Sequence, residues 1–505
     1  MNRLFASAAV IAIIFSGLTS VRASSVNDES RWGEGLVCEG VHHEPGTKVP
    51  YNWYVSPGAS AEGNAVYVIL EVGGDKAFRE MLDRMTGEKV IPEGLFIFSG
   101  YGKLEPTIEG GSERMMRLEE FDQNGPEFAS FIIEDLIPDA AAHAGTDISP
   151  DPDLHFIAGA SSGGLMAWNA LWYRNDYFRR GFLSSPTFSS IRGGEEIMTL
   201  VRKTEPKPIR AYITVGTVEP DYYFGDSFLV ASDAASALKY AGYDYMFEVF
   251  ANGEHGYNVW NPDFWEKMFR WMFAEKEVRV KGRPFRLGTV FPEGSQWDLA
   301  DVRVPSRRKV IGNSFGKYSI RHGRIRFKPR KGRAVTVTTP GKVTAIAFSS
   351  DLWRLYATMA DRRFVYAYTL DSKGVPSAEY SLVPIHLPHD CTILGCSDLA
   401  VSDADRLFLA TELGVQTTPS AGSLDLILPL PDDRPAERVW LEDGYLYALS
   451  SGGTVYGRTV LSSPHNGKDI SEPSGQSYGD GFDYSRTHFG EIFGRLPKGT
   501  SVSAE

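Results

Sequence analysis

The stretch Leu154 to Gly164 reads Leu-His-Phe-Ile-Ala-Gly-Ala-Ser-Ser-Gly-Gly, and no other part of the chain constrains the fold as tightly. A short apolar run passes directly into Gly159-x-Ser161-x-Gly163-Gly164, and a helix-forming stretch, Leu165 to Tyr173, follows. Strand, sharp turn and helix in that order form a nucleophile elbow, which lifts a serine hydroxyl out of the turn at the end of a strand. Glycines two residues before and two after the serine leave room for the strained turn. The motif therefore predicts a βα unit and offers Ser161 as a nucleophile.

The surroundings extend this unit into a domain. Between about residues 36 and 278, Val66 to Leu70, Gly94 to Phe98, Leu154 to Ala158, Gly181 to Leu183, Ile209 to Val215 and Met246 to Phe250 are short apolar runs. Continuous runs of this kind fit strands buried on both faces. Helical patterns lie among them at Pro126 to Leu136, Leu165 to Tyr173, Phe228 to Ala241 and Pro262 to Phe273. The alternation predicts an α/β domain over 30–278, with a largely parallel sheet covered on both sides.

Near 279–288 the chain turns basic and polar, and helical patterns stop. Arg354 to Thr358, Arg406 to Thr411 and Tyr445 to Leu449 look like copies of one strand. Their spacings of 52 and 39 residues fall near a propeller blade of about 40–50 residues. A shorter strand and a turn precede each copy, at Ala345 to Phe348, Leu399 to Val401 and Val439 to Leu441. Residues 286–461 are thus expected to form an all-β, propeller-like domain. About four units fit, few for a propeller, so the reading includes an incomplete or reduced one.

The bulk properties exclude some classes. A formal charge of −12 argues against a nucleic-acid partner, which needs a basic face. Two basic runs, Arg307-Arg308-Lys309 and Arg321 to Arg333, read as a solvated strand face or linker edge. Residues 1–23 read as a signal peptide: Arg3, an apolar run from Leu4 to Leu18, and Val21-Arg22-Ala23 before Ser24. The run is shorter than the roughly 20 residues of a spanning helix. The expectation is a secreted or periplasmic protein with no membrane attachment after cleavage. Residues 24–35 read as a polar lead, and 462–505, rich in Gly, Ser and charge, as a flexible tail. Cys391 and Cys396 are spaced to close a short loop, leaving Cys38 unpaired. His386 and His389 nearby offer a weak alternative of metal binding.

A serine hydroxyl needs a base to take its proton and an acid to orient that base. In the α/β-hydrolase order the serine is followed by Asp or Glu and then by His. His255, in Ala251-Asn252-Gly253-Glu254-His255-Gly256, follows the run Met246 to Phe250 and fits the base. The acid is sought in Gly216 to Asp226, where Glu219, Asp221 and Asp226 compete. Glu219, three residues past Gly216, is preferred. An oxyanion hole needs two backbone N–H groups. The first is assigned to Ser162, and the second to Gly73 in the loop Glu71-Val72-Gly73-Gly74-Asp75.

Four stretches of this half resemble secreted esterases of the enterochelin-esterase and esterase-D type, especially those fused to a gluconolactonase-like propeller. They are Arg117 to Asp122, Ala158 to Gly164, Arg192-Gly193-Gly194 with Arg202 to Arg210, and Ala241-Gly242-Tyr243-Asp244 with Gly253-Glu254-His255. The resemblance covers roughly residues 50–275. It implies the α/β-hydrolase fold and ester hydrolysis by Ser161 and His255, with Glu219 where the family usually has Asp. Asp403 to Gln416 is similar to part of a gluconolactonase-like propeller. That likeness implies a divalent-cation site, but Pro340-Gly341-Lys342 lacks the family's Asn and Ser397 falls on its Asp. Glu293 and Asp398 are then loop carboxylates, and no metal is expected.

The expected function is that of a secreted serine carboxylester hydrolase with no cofactor, acting on a small-molecule or carbohydrate ester. Trp168, Trp172, Tyr222, Tyr223, Tyr257 and Trp260 flank the catalytic strings, and Trp168 and Tyr257 are the candidate substrate contacts. The alternatives are a non-catalytic module that binds carbohydrate or a partner, and a metal-dependent lactonase in the second half. Oligomeric state is not legible.

Overall fold

The structure is a computed structural model. It describes residues 31–461 apart from 39–44, 62, 72, 258, 260, 307–309, 390 and 420–421. The expected signal peptide, the C-terminal tail, Trp260 and the Arg307-Arg308-Lys309 run lie outside the described residues.

The first half builds one ten-stranded sheet. In chain order its strands are β1 (Trp32–Val37), β2 (Thr47–Val55), β3 (Ala65–Leu70), β4 (Gly94–Ser99), β5 (Lys103–Leu104), β6 (Arg114–Met115), β7 (His155–Ala160), β8 (Arg180–Ser184), β9 (Arg210–Val218) and β12 (Asp244–Glu254). The short β10 (Asp221–Tyr222) and β11 (Gly225–Asp226) form a separate hairpin. The spatial order is β12-β9-β8-β7-β3-β4-β2-β5-β6, with β1 on β2. From β12 to β4 the pairing is parallel, and at β2 it becomes antiparallel.

The apolar runs are continuous because the sheet is buried on both sides. Along β3, Val66, Val68 and Leu70 face one core, and Ala65, Tyr67 and Ile69 face the other. The first core is covered by the helices Ser162–Tyr173 and Ser227–Ala241 and by the segment from Glu127 to Ala144. The second is covered by helices Lys76–Gly87 and Pro262–Met272. This is the α/β-hydrolase architecture, with the expected strands and helices in place. The sequence reading omitted β1, β2 and the helix Lys76–Gly87. Trp32 already pairs with Tyr54, so the polar lead is shorter than expected.

The second half is four antiparallel four-stranded sheets in a propeller-like arrangement. The first is β14 to β17 (Val310–Gly312, Gly316–Arg321, Arg324–Pro329, Val335–Thr336). The second is β18 to β21 (Val343–Phe348, Arg354–Met359, Phe364–Leu370, Pro376–Pro384). The third is β22 to β25 (Asp398–Val401, Leu407–Thr411, Gly414–Thr418, Leu426–Leu428). The fourth joins β26 (Ala436–Glu442), β27 (Tyr445–Ser450) and β28 (Val455–Thr459) to β13 (Asp298–Leu299). Its outer strand comes from the beginning of the domain, so first and last segments close on one another. The three similar strands are β19, β23 and β27, each the second strand of its blade.

The two halves meet along the segment from Gly193 to Lys207. Thr204 bridges to Ile427, whose side chain completes the first core. Arg458, 1% exposed, donates from both terminal nitrogens to Glu205 at 2.7 and 2.9 Å. The expected Cys391–Cys396 link is absent: Cys38, Cys391 and Cys396 are all free thiols. Cys396 is buried, and its thiol donates to the Asp398 carbonyl at 3.0 Å.

Candidate active site

Five parallel strands end at residues 70, 160, 184, 218 and 254. The residue just past each end is Glu71, Ser161, Ser185, Glu219 and His255. A parallel sheet with this register gathers its carboxyl ends along one edge, where open α/β folds place their sites. Three of the five, Glu71, Ser161 and Ser185, have positive φ of 59°, 57° and 43°. Non-glycine residues seldom adopt this conformation, and it concentrates at functional turns.

Ser161 has φ 57° and ψ −124° and precedes the helix Ser162–Tyr173. The close approach of helix and strand explains Gly159, where a Cβ would overlap the Gly163 carbonyl. The Ser161 hydroxyl lies 3.4 Å from the Thr187 hydroxyl.

Of the three competing acids, Glu219 is the one that meets His255, at 2.5 Å between Oε2 and Nδ1. Its other oxygen accepts from the Ser185 hydroxyl at 2.6 Å and from the Gly216 N–H at 3.0 Å. Ser185 in turn accepts from the Gly256 N–H at 3.0 Å, which ties β8 to the histidine loop. The Glu219 side chain is 1% exposed. Burial pushes its carboxyl up, but His255 and the Ser185 and Gly216 donors outweigh burial and hold it below the ordinary range. Asp221 pairs with Asp226 across the β10–β11 hairpin. Asp226 caps the helix Ser227–Ala241 through the Leu229 N–H at 2.9 Å.

A second group lies beneath the elbow. Arg117 donates to both oxygens of Glu71, at 2.5 and 3.0 Å, and to the Ser162 hydroxyl at 2.7 Å. It thereby links the loop after β3 to the residue following Ser161. Asp122 is fully buried beside this group. Burial raises its carboxyl to about 6, with Ser162 and Arg117 partly opposing.

The remaining expected residues fall as follows. Ser162 is buried at the helix start, where its N–H belongs to the unpaired first turn. Gly73 stands in the loop after β3, and a Cβ there would meet open space. The crowded glycine is Gly74, where a Cβ would overlap the Phe98 ring. Trp168 is in the first core, stacked on Trp172 at 5.6 Å and edge-on to Phe188, so it does not line the site. Tyr257 is half-exposed beside His255 and packs on Phe250 at 5.3 Å. Tyr223 is fully exposed, and Tyr222 stacks on Phe224 at 4.7 Å. Sequence reasoning missed Ser185 and Thr187 and gave Arg117, Glu71 and Asp122 no role. The signal for Ser185 was its place after Gly181 to Leu183, the same place that Ser161 holds after its own strand.

Neither the family models nor the curated proteins compared with this chain give a match. Solved structures similar to it include a ferulic acid esterase, at 16% identity over 48% of this chain and 98% of that one, with a TM-score of 0.37. An enterobactin esterase from Shigella flexneri is 15% identical over 49% of this chain and 60% of that one, with a TM-score of 0.39. A siderophore hydrolase from Aspergillus nidulans is 16% identical over 52% and 100%, with a TM-score of 0.37.

Proposed function

We propose that this chain is an exported serine carboxylester hydrolase acting on a small-molecule or carbohydrate ester. The observation that carries the reading is the arrangement of Ser161, Glu219 and His255 just past three parallel strand ends, with Glu219 bonded to His255 Nδ1. That bond fixes the imidazole and leaves Nε2 as the proton acceptor.

In the proposed reaction the Ser161 oxygen attacks the acyl carbonyl while its proton passes to His255. Backbone N–H groups of Ser162 and Gly73 stabilise the oxyanion. The ester C–O bond breaks, and the alcohol leaves with the proton from His255. Water, deprotonated by the same imidazole, then releases the acid and restores Ser161. Glu219 stays ionised and balances the imidazolium, a role for which its depressed proton affinity suits it. No step draws on a cofactor.

For the second domain the reading is a gluconolactonase-like scaffold whose cation site is lost. Asp398 is committed to Arg438, accepting from Nε at 2.7 Å. The test is Ser161→Ala, with p-nitrophenyl acetate as substrate and circular dichroism as the folding control. Loss of turnover in a folded variant is expected, and unchanged turnover would overturn the proposal.

A further inference from the structure

The proposed reaction uses nothing from the first blade, which carries the most uneven charge in the molecule. From Arg303 to Lys342 the chain has thirteen lysines and arginines and no aspartate or glutamate. Taking these thirteen from the 52 basic residues of the chain leaves 39 against 64 acidic ones. Everything outside this stretch therefore carries a formal charge of −25, and the stretch is a basic island on an acidic protein.

The fold turns this island into a surface. Tyr318, Ile325 and Phe327 point into the blade core and are buried. Alternation then puts Lys317, Ser319 and Arg321 of β15 and Arg324, Arg326 and Lys328 of β16 on the opposite, solvent side. The register sets Lys317 across from Lys328 and Arg321 across from Arg324. Like charges directly opposed destabilise a sheet, so folding alone would not favour this pairing. None of the five cations enters an ion pair among the described residues.

We propose that this face binds an acidic polysaccharide, one chain lying along β15 and β16. Charge complementarity carries the assignment, and the size of the strip selects the partner. Six residues of strand span about 20 Å, and the two strands lie about 5 Å apart. A single carboxylate-bearing sugar chain fits a strip that narrow. A DNA duplex, with one charge per roughly 1.7 Å of axis, would extend past it along a protein whose remaining charge is net negative. An anionic membrane would bring a protein of net negative charge up to a like-charged plane. Arginine forks match carboxylates in geometry. This function is separate from that proposed for Ser161.

The test is affinity electrophoresis of the full chain through gels holding polygalacturonate, its highly methyl-esterified form, or duplex DNA, with flotation on phosphatidylglycerol vesicles alongside. Retardation by polygalacturonate is expected, with little by the esterified form and release at about 0.5 M salt, where screening is short-ranged. Arg321→Gln/Arg324→Gln/Arg326→Gln should weaken binding at least tenfold, with a melting temperature unchanged or raised. Ser161→Ala should bind as the native chain does, so loss of hydrolysis and loss of binding are separable. Native-like binding by the triple variant would overturn the proposal. So would equal binding of the esterified polymer, or tighter binding of DNA or vesicles.

Discussion

Replacing Glu219 by Gln probes the account at a single atom. The Glu219 carboxylate accepts three hydrogen bonds, from His255 Nδ1, the Ser185 hydroxyl and the Gly216 N–H. A glutamine of the same shape can keep its oxygen toward Ser185 and Gly216, which are both donors. Its amide N–H₂ then faces His255, and Nδ1 must become an acceptor. The ring proton moves to Nε2, the position that has to take the proton of Ser161. The backbone and the buried packing are untouched, so stability should change little. A wrong tautomer of this kind costs about 10⁴-fold in kcat, or about 5 kcal/mol of barrier. The assay is the initial rate of p-nitrophenyl acetate hydrolysis across substrate concentrations, with KM expected to stay within a few-fold. A Gln variant that is folded and retains more than a tenth of the native kcat would refute the orienting role of Glu219. Glu219→Asp would then be uninformative, but Asp221→Asn and Asp226→Asn should leave the rate nearly native in either case.

Four further outcomes follow from the same geometry. Ser185→Ala removes one donor to Glu219 and strands the Gly256 N–H, so kcat should fall about tenfold, by about 1–1.5 kcal/mol, with KM held; native kcat would count against the link. Gly159→Ala puts a Cβ into the Gly163 carbonyl and should abolish activity, whereas Gly73→Ala meets open space, keeps its N–H and should stay within a few-fold of native. Arg117→Met leaves Glu71 and Asp122 without their shared cation and should destabilise the first domain by about 3 kcal/mol in urea titration, with Arg117→Lys recovering part of it. The Asp122 carboxyl, raised from its ordinary value to about 6, holds a proton in the folded state that the unfolded chain has lost between about pH 4 and 6. Stability should therefore fall as pH rises through that window, and Asp122→Asn should flatten the fall and add about 2–3 kcal/mol at pH 7.

The sequence was most legible where one residue type has one physical meaning. The continuous apolar runs gave the parallel strands because two cores cover the sheet, one on each face. The elbow was readable because Gly159 faces a backbone carbonyl that no side chain can share. Three of the blades were visible through their repeated second strand. The first blade was not, because its strands alternate cations with apolar residues and share no motif with β19, β23 and β27. The strands β1 and β2 were missed for a related reason. At the antiparallel margin β2 alternates buried and half-buried positions and β1 is half-buried or exposed up to Val37, so no continuous run marks either. At the candidate site, chain order pointed to Ser161, Glu219 and His255, which stand just past three parallel strand ends. Ser185 escaped because its place after a strand marks a position but not a role, which shows only when its hydroxyl is seen between a carboxylate and a backbone N–H. Trp168 was misread because a tryptophan nearly two turns into an elbow helix can face the substrate or the core, and here the helix turns it onto Trp172 and Phe188.

The central claim is that one serine is activated. Incubating the native chain with a fluorophosphonate and mapping the adduct by mass spectrometry tests it most directly. The account predicts stoichiometric labelling of Ser161 alone, and sharply slowed labelling in a folded His255→Ala variant. A folded native chain that stays unlabelled at Ser161, or that labels equally fast without His255, would contradict it.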